Sequence, residues 1–86
     1  MNFCVVTTFD CLLAEFKAGV AEFENEMNKC LAEWEIGKVD DNKSEASFEV
    51  TDMETFKEIF ATPKAANLHT KHNLVYTFYN LKSFLN

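Results

Sequence analysis

Hydrophobic and polar positions change their spacing several times along the chain. Residues 3–9 read Phe-Cys-Val-Val-Thr-Thr-Phe, a β-branched and aromatic run without a strong helix former, which predicts a strand. The run is apolar on both faces, so a central strand fits it best. Asp10 follows at the place of a helix N-cap, where a carboxylate accepts orphan amide hydrogens and complements the helix dipole. Leu13, Phe16, Val20, Phe23, Met27, Cys30 or Leu31, and Trp34 then recur at spacings of three and four. This spacing predicts a helix with one apolar stripe, and Glu15, Glu22, Glu26 and Glu33 fall on the opposite side. Fraying or a turn is expected between Cys30 and Trp34. Gly19 lies beside the stripe, where a missing side chain permits close approach of a neighbouring element.

Residues 34–39, the polar turn Asp40-Asp41-Asn42-Lys43 and residues 44–51 predict a β-hairpin. In its second arm Ala46, Phe48 and Val50 alternate with Ser47, Glu49 and Thr51, so only one face is buried. Thr51-Asp52-Met53-Glu54 has the spacing of a capping box, and Phe56, Ile59 and Phe60 supply an apolar helix face. Pro63 interrupts that helix because it lacks an N–H and its ring clashes with the preceding turn, yet it suits the first turn of a new helix. Two segments are expected, 53–61 and 63–71. A fourth strand is expected over 74–81, and 82–86 as a tail or an extension of that strand.

Strand, helix, strand, strand, helix, strand is the order of the ferredoxin-like split β-α-β-β-α-β fold. It is an α+β architecture with a four-stranded antiparallel sheet and its helices on one face. The other face would be bare, and pairing of two copies through an aromatic sheet face is the expected way to cover it. At 86 residues the chain has room for one domain, residues 1–86.

Charge narrows the function classes. Fourteen acidic residues face eight basic ones, all Lys, for a net charge of −6. Nucleic-acid binding calls for clustered Lys and Arg, and bidentate anion recognition for the guanidinium fork, so neither partner is expected. Cys4, Cys11 and Cys30 form an odd set without a Cys-x-x-Cys pair, which points to reduced thiols and a cytoplasmic location. The start of the chain has no basic region ahead of an apolar stretch, and no membrane association is expected.

The order Phe9-Asp10, Phe16, Glu33-Trp34, the run Gly37 to Lys43, Phe48-Glu49-Val50-Thr51-Asp52 and the segment Phe-Lys-Glu-Ile-Phe-Ala-Thr-Pro-Lys-Ala-Ala at 56–66 resembles the dimeric α+β barrel superfamily. The chain looks most like small bacterial, largely cyanobacterial branches similar to antibiotic-biosynthesis-monooxygenase-like domains. The resemblance implies a homodimer with a cleft between helices and sheet. It leaves the chemistry open, since the superfamily includes cofactor-free oxygenases, haem degraders, isomerases and proteins without known activity. The chain departs from the haem degraders in lacking Arg and an alignable Asn-x-x-x-His.

Trp34, His69, His72, Tyr76 and Tyr79 are the candidate cleft residues: aromatic walls with a few polar groups that would orient an apolar ligand. His69 and His72 lie three apart on one helical segment, but no third ligand accompanies them, so no metal and no cofactor is expected. The cysteines have no histidine partner, and Gly19 and Gly37 cannot build a phosphate loop. Three readings remain. The chain is a dimeric module binding a small apolar molecule in the cleft, or a cofactor-free monooxygenase or isomerase in which His72 with Tyr76 or Tyr79 handles protons. Alternatively, the spacing 13-16-20-23-27-30-34 is a heptad seam through which the first helix meets a partner protein.

Overall fold

A computed structural model describes residues 1–81. In chain order the elements are β1 (Phe3–Thr8), α1 (Leu13–Ala21), α2 (Glu24–Asn28), β2 (Leu31–Asp40), β3 (Lys43–Val50), α3 (Met53–Phe60), α4 (Pro63–His72) and β4 (Val75–Asn80). The strands form one antiparallel sheet in the order β2-β3-β1-β4, which places the apolar β1 in its interior. This is the expected ferredoxin-like α+β arrangement. The tail or strand extension expected over 82–86 lies outside the described residues.

Register decides which residues meet the helices. Val5 pairs with Ala46 and Phe78, and Ala46 with Ile36, so these side chains share one face with Phe3, Thr7, Ser44, Phe48, Trp34 and Tyr76. On that face Val5, Ala46 and Phe48 pack with Phe23, Met27, Phe56 and Ala65 in the main core. A smaller cluster of Phe9, Phe16 and Leu74 closes one end, with the Phe9 and Phe16 rings stacked at 4.6 Å. The opposite face carries Cys4, Val6, Thr8, Val75, Thr77 and Tyr79 on one half and Glu33, Glu35, Glu45 and Glu49 on the other. The expected aromatic bare face is therefore corrected: strict alternation sends Phe3, Phe48, Tyr76 and Phe78 under the helices, and Tyr79 is the aromatic that remains outside.

The first helical stretch differs most from expectation. Asp10 does not cap α1. Its backbone N–H donates to the His72 carbonyl at 2.8 Å, and its carboxylate accepts from the Asn73 side chain at 2.9 Å. That anchors the end of α4 beside β1. Leu12 is the N-cap of α1, and its N–H donates to the Glu15 carboxylate at 3.4 Å.

The stripe is cut twice. At Glu22–Phe23 the amides tighten onto Gly19 and Val20 and the helix restarts as α2. After Asn28 a second tight turn ends at Cys30, and β2 begins at Leu31, three residues before the expected start. The first break frees the Glu22 carbonyl. Lys64 of α4 donates to it, lies 3.7 Å from Glu26 and sits 4.6 Å from the Phe23 ring centroid. Phe16, Phe23, Met27 and Cys30 are buried against their own sheet or neighbouring helices, so the heptad seam is consumed inside the chain and presents no stripe to a partner helix.

The second half follows the sequence. Asp52 caps α3 by accepting from the Thr55 amide and hydroxyl at 3.2 and 2.7 Å. Thr62 caps α4 in the same way, accepting from the Ala65 amide at 3.2 Å while its hydroxyl donates to the Ile59 carbonyl at 2.9 Å. With Pro63 at the first position of α4, the two caps make a sharp, fully bonded corner. Gly19 lies so close to α4 that a Cβ there would stand 2.6 Å from Leu68 Cδ1, which confirms the close approach its position suggested.

Candidate helix–sheet cavity

Between the helical layer and the sheet lies a cavity of about 80 Å³. Its floor is Val5, Thr7, Ala46, Phe48 and Tyr76 from three strands, and Ile36 closes the β2 side. Phe56, Ile59 and Phe60 of α3 and Ala65 and Leu68 of α4 form one wall; Phe16, Val20, Phe23 and Met27 form the other. The α3–α4 corner brings two helices onto one cavity, because each can approach the sheet at its own angle. Thr7 and Tyr76 carry the only polar side chains in the lining. The Phe60 ring meets Tyr76 edge to face at 5.3 Å, an arrangement that aromatic quadrupoles favour.

Of the five candidates from the sequence, Tyr76 alone lines this cavity. Trp34 lies on the same sheet face, opposite Phe48, and packs against the edge of the core. His69 is exposed on α4 with its ring 6.0 Å from that of Tyr76. His72 is buried at the end of α4 and borders a separate groove of about 420 Å³ between α1 and α4, lined also by Glu15, Glu22, Lys64 and Lys71. Tyr79 is 43% exposed on the helix-free face, opposite Cys4. The structure thus brings His69 and Tyr76 together and distributes the other three over different surfaces. Thr7 and Ser44 were missed by sequence reasoning. The parity of their strands was the available signal, since Thr7 shares a face with Val5, and Ser44 with Ala46.

The protonation chemistry of the site is quiet. Burial pushes the Tyr76 phenol above its ordinary value of 10.0, so at neutral pH it is an uncharged hydrogen-bonding group. Burial also raises all three thiols; Glu45 adds to the effect at Cys4, Glu15 and Asp10 at Cys11, and Asp52 at Cys30. None is poised as a thiolate nucleophile. The arrangement can bind an apolar body and hydrogen-bond it at one side. Among the described residues no three His, Cys, Asp or Glu side chains gather as a metal site.

Solved structures share this fold. SnoaB, a cofactor-independent oxygenase from Streptomyces nogalater, is similar with a TM-score of 0.63 and 16% identity, over 92% of this chain and 89% of that one. A single-site mutant of SnoaB gives a TM-score of 0.60 at 17% identity, over 92% and 89%. The solution structure of a hypothetical Arabidopsis thaliana protein gives 0.52 at 15% identity, over 92% and 87%. No protein-family model and no curated protein matches the chain. At these identities the likeness is one of fold.

Proposed function

We propose that the protein binds a small apolar or aromatic molecule in the cavity between helices and sheet. The observation that carries this reading is the cavity itself, apolar on every side except at Thr7 and Tyr76 and reached by side chains from both helical walls. An engineered apolar cavity of roughly 150 Å³ takes benzene, so a ring-sized occupant here requires Phe60 or Leu68 to swing outward. Free thiols at Cys4, Cys11 and Cys30 support a reducing, cytoplasmic setting. A second copy of the chain would cover Val6, Val75 and Tyr79 on the helix-free face, where Val75 is 61% exposed.

Cofactor-independent oxygenation of the bound molecule is the second reading, favoured by the fold shared with SnoaB. The substrate would supply the electrons to dioxygen, and the apolar lining suits both reactants. His69 and Tyr76 are the polar groups nearest the cavity for proton transfer.

The test is titration of the isotope-labelled protein with benzene and larger aromatic compounds, followed by amide and methyl NMR shifts, with the molar mass measured alongside. Saturable shifts at Val5, Ala46, Leu68 and Tyr76 are expected. Shifts absent from these residues would overturn the binding reading. Substrate-dependent oxygen uptake without added flavin, haem or metal would select the second reading.

A further inference from the structure

The register places three hydroxyl side chains side by side across the sheet. Thr7 pairs with Ser44 on β3 and with Tyr76 on β4, so Ser44, Thr7 and Tyr76 form one row on the face beneath the helices. Opposed side chains in such rows have Cβ atoms about 4.5–5.5 Å apart, close enough for a single oxygen placed between them to reach two hydroxyls. Thr7 and Tyr76 are on the cavity lining, and Ser44 stands behind Thr7, one step along β3 from the lining residue Ala46.

The row is buried and incompletely bonded. Ser44 is 0% exposed and Thr7 3%, and among the described residues the Ser44 hydroxyl has no hydrogen-bond partner. A buried hydroxyl without a partner is costly and uncommon, and a row of hydroxyls at the edge of an otherwise apolar cavity has no packing advantage over Ala, Val and Phe. Nothing in strand formation demands Ser at 44, since small serine is a poorer strand former than the Val or Thr that the pleat would accept there.

We propose that this row is the polar end of the ligand site and that the occupant is a hydroxylated aromatic molecule, its ring against Phe48, Phe56 and Phe60 and its oxygen against Thr7, with Ser44 and Tyr76 completing the contact. The proposal rests on the cavity being the binding site and adds the chemical class of the occupant. Each hydroxyl both donates and accepts, so the row serves a phenol as donor to its oxygen and acceptor of its proton. Tyr76, held neutral, keeps its donor across the physiological range.

The experiment compares benzene with phenol, two probes of nearly equal shape, by NMR titration of the wild type and of Ser44→Ala and Thr7→Val. A hydroxyl carried into a cavity that gives it no partner weakens binding by roughly tenfold or more, so a site without a polar end prefers benzene. The wild type is expected to bind phenol at least as tightly as benzene, and each variant to lose about tenfold of that ratio with benzene affinity unchanged within about twofold. Ser44→Ala removes an unpartnered group and adds no bulk, so it should fold as the wild type does; Thr7→Val keeps the shape of the side chain. A phenol-to-benzene ratio that is the same in all three proteins would overturn the hydroxyl row while leaving the cavity as an apolar binding site. Absence of cavity shifts with either probe would overturn both readings.

Discussion

Substituting Ala46 with Val tests whether the space between helices and sheet is real and whether it is where the ligand goes. Ala46 lies on the cavity floor, 7% exposed, between Val5 on β1 and Ile36 on β2. Leaving about 80 Å³ empty costs on the order of 2 kcal/mol at roughly 24 cal/mol per Å³. Valine adds two methyl groups, worth about 0.8 kcal/mol each when fully buried, and a β-branched side chain gains a few tenths more on a strand. Stabilisation of about 1–2 kcal/mol is expected, which for a chain of this size raises the thermal midpoint by about 4–8 °C per kcal/mol. The assay is urea and thermal unfolding of wild type and variant, with benzene titrated into each. Affinity for benzene should fall at least tenfold as the variant becomes more stable, the trade expected where a cavity is kept for function. Destabilisation by about 1–3 kcal/mol would be the signature of overpacking and would refute the open space. Greater stability with unchanged benzene affinity would place the ligand elsewhere.

Two further outcomes follow from the caps of the second half. Thr62→Ala removes the acceptor for the Ala65 amide and the donor to the Ile59 carbonyl, so it should cost about 1 kcal/mol in urea unfolding, with Thr62→Ser retaining most of it. Hydrogen bonds from Thr55 hold the Asp52 carboxyl below its ordinary value of 3.8. A carboxyl depressed in the fold contributes stability that is present above its unfolded value and is lost as pH falls through the folded one. The gap in thermal midpoint between wild type and Asp52→Ala should therefore be constant from pH 7 to pH 5 and narrow below pH 3.8; a gap that stays constant down to pH 2 would show that the charge plays no part.

Local chemistry made much of the fold legible. Residues 43–72 carry their instructions in short range: alternation at Ala46 and Phe48, the cap at Asp52, the proline at 63. Each element there forms where those signals put it. The first helical stretch misled because a stripe of period 3.6 survives a tight turn. Phe23, Met27 and Cys30 keep their inward direction through two breaks, and the amides that tighten at Glu22 and Lys29 leave no mark on hydrophobic spacing. Asp10 showed a comparable ambiguity, for a carboxylate after a strand serves equally as a helix cap or as the partner of a distant Asn73. The site was less legible than the fold. Polarity and aromaticity drew attention to Trp34, His69, His72 and Tyr79, whereas cavity membership depends on strand parity and on where α3 and α4 lean. Tyr76 satisfied both criteria. Thr7 and Ser44 were hidden by being ordinary strand residues, and only the register across β3, β1 and β4 sets them in line with Tyr76.

The corner between Phe60 and Pro63 has a meaning for how such a chain diversifies. The helices it joins share a cavity, but the strand register that holds the sheet together is fixed elsewhere, along β1 and its neighbours. A residue gained or lost at Ala61 would swing α4 relative to α3 and change the separation of Phe60 from Leu68, at a loop-closure cost that grows only slowly with length. The pairing of Val5 with Ala46 would be untouched. Lineages built on this plan can therefore exchange one occupant for a larger or smaller one by indels at a single surface bend, with the sheet inherited unchanged.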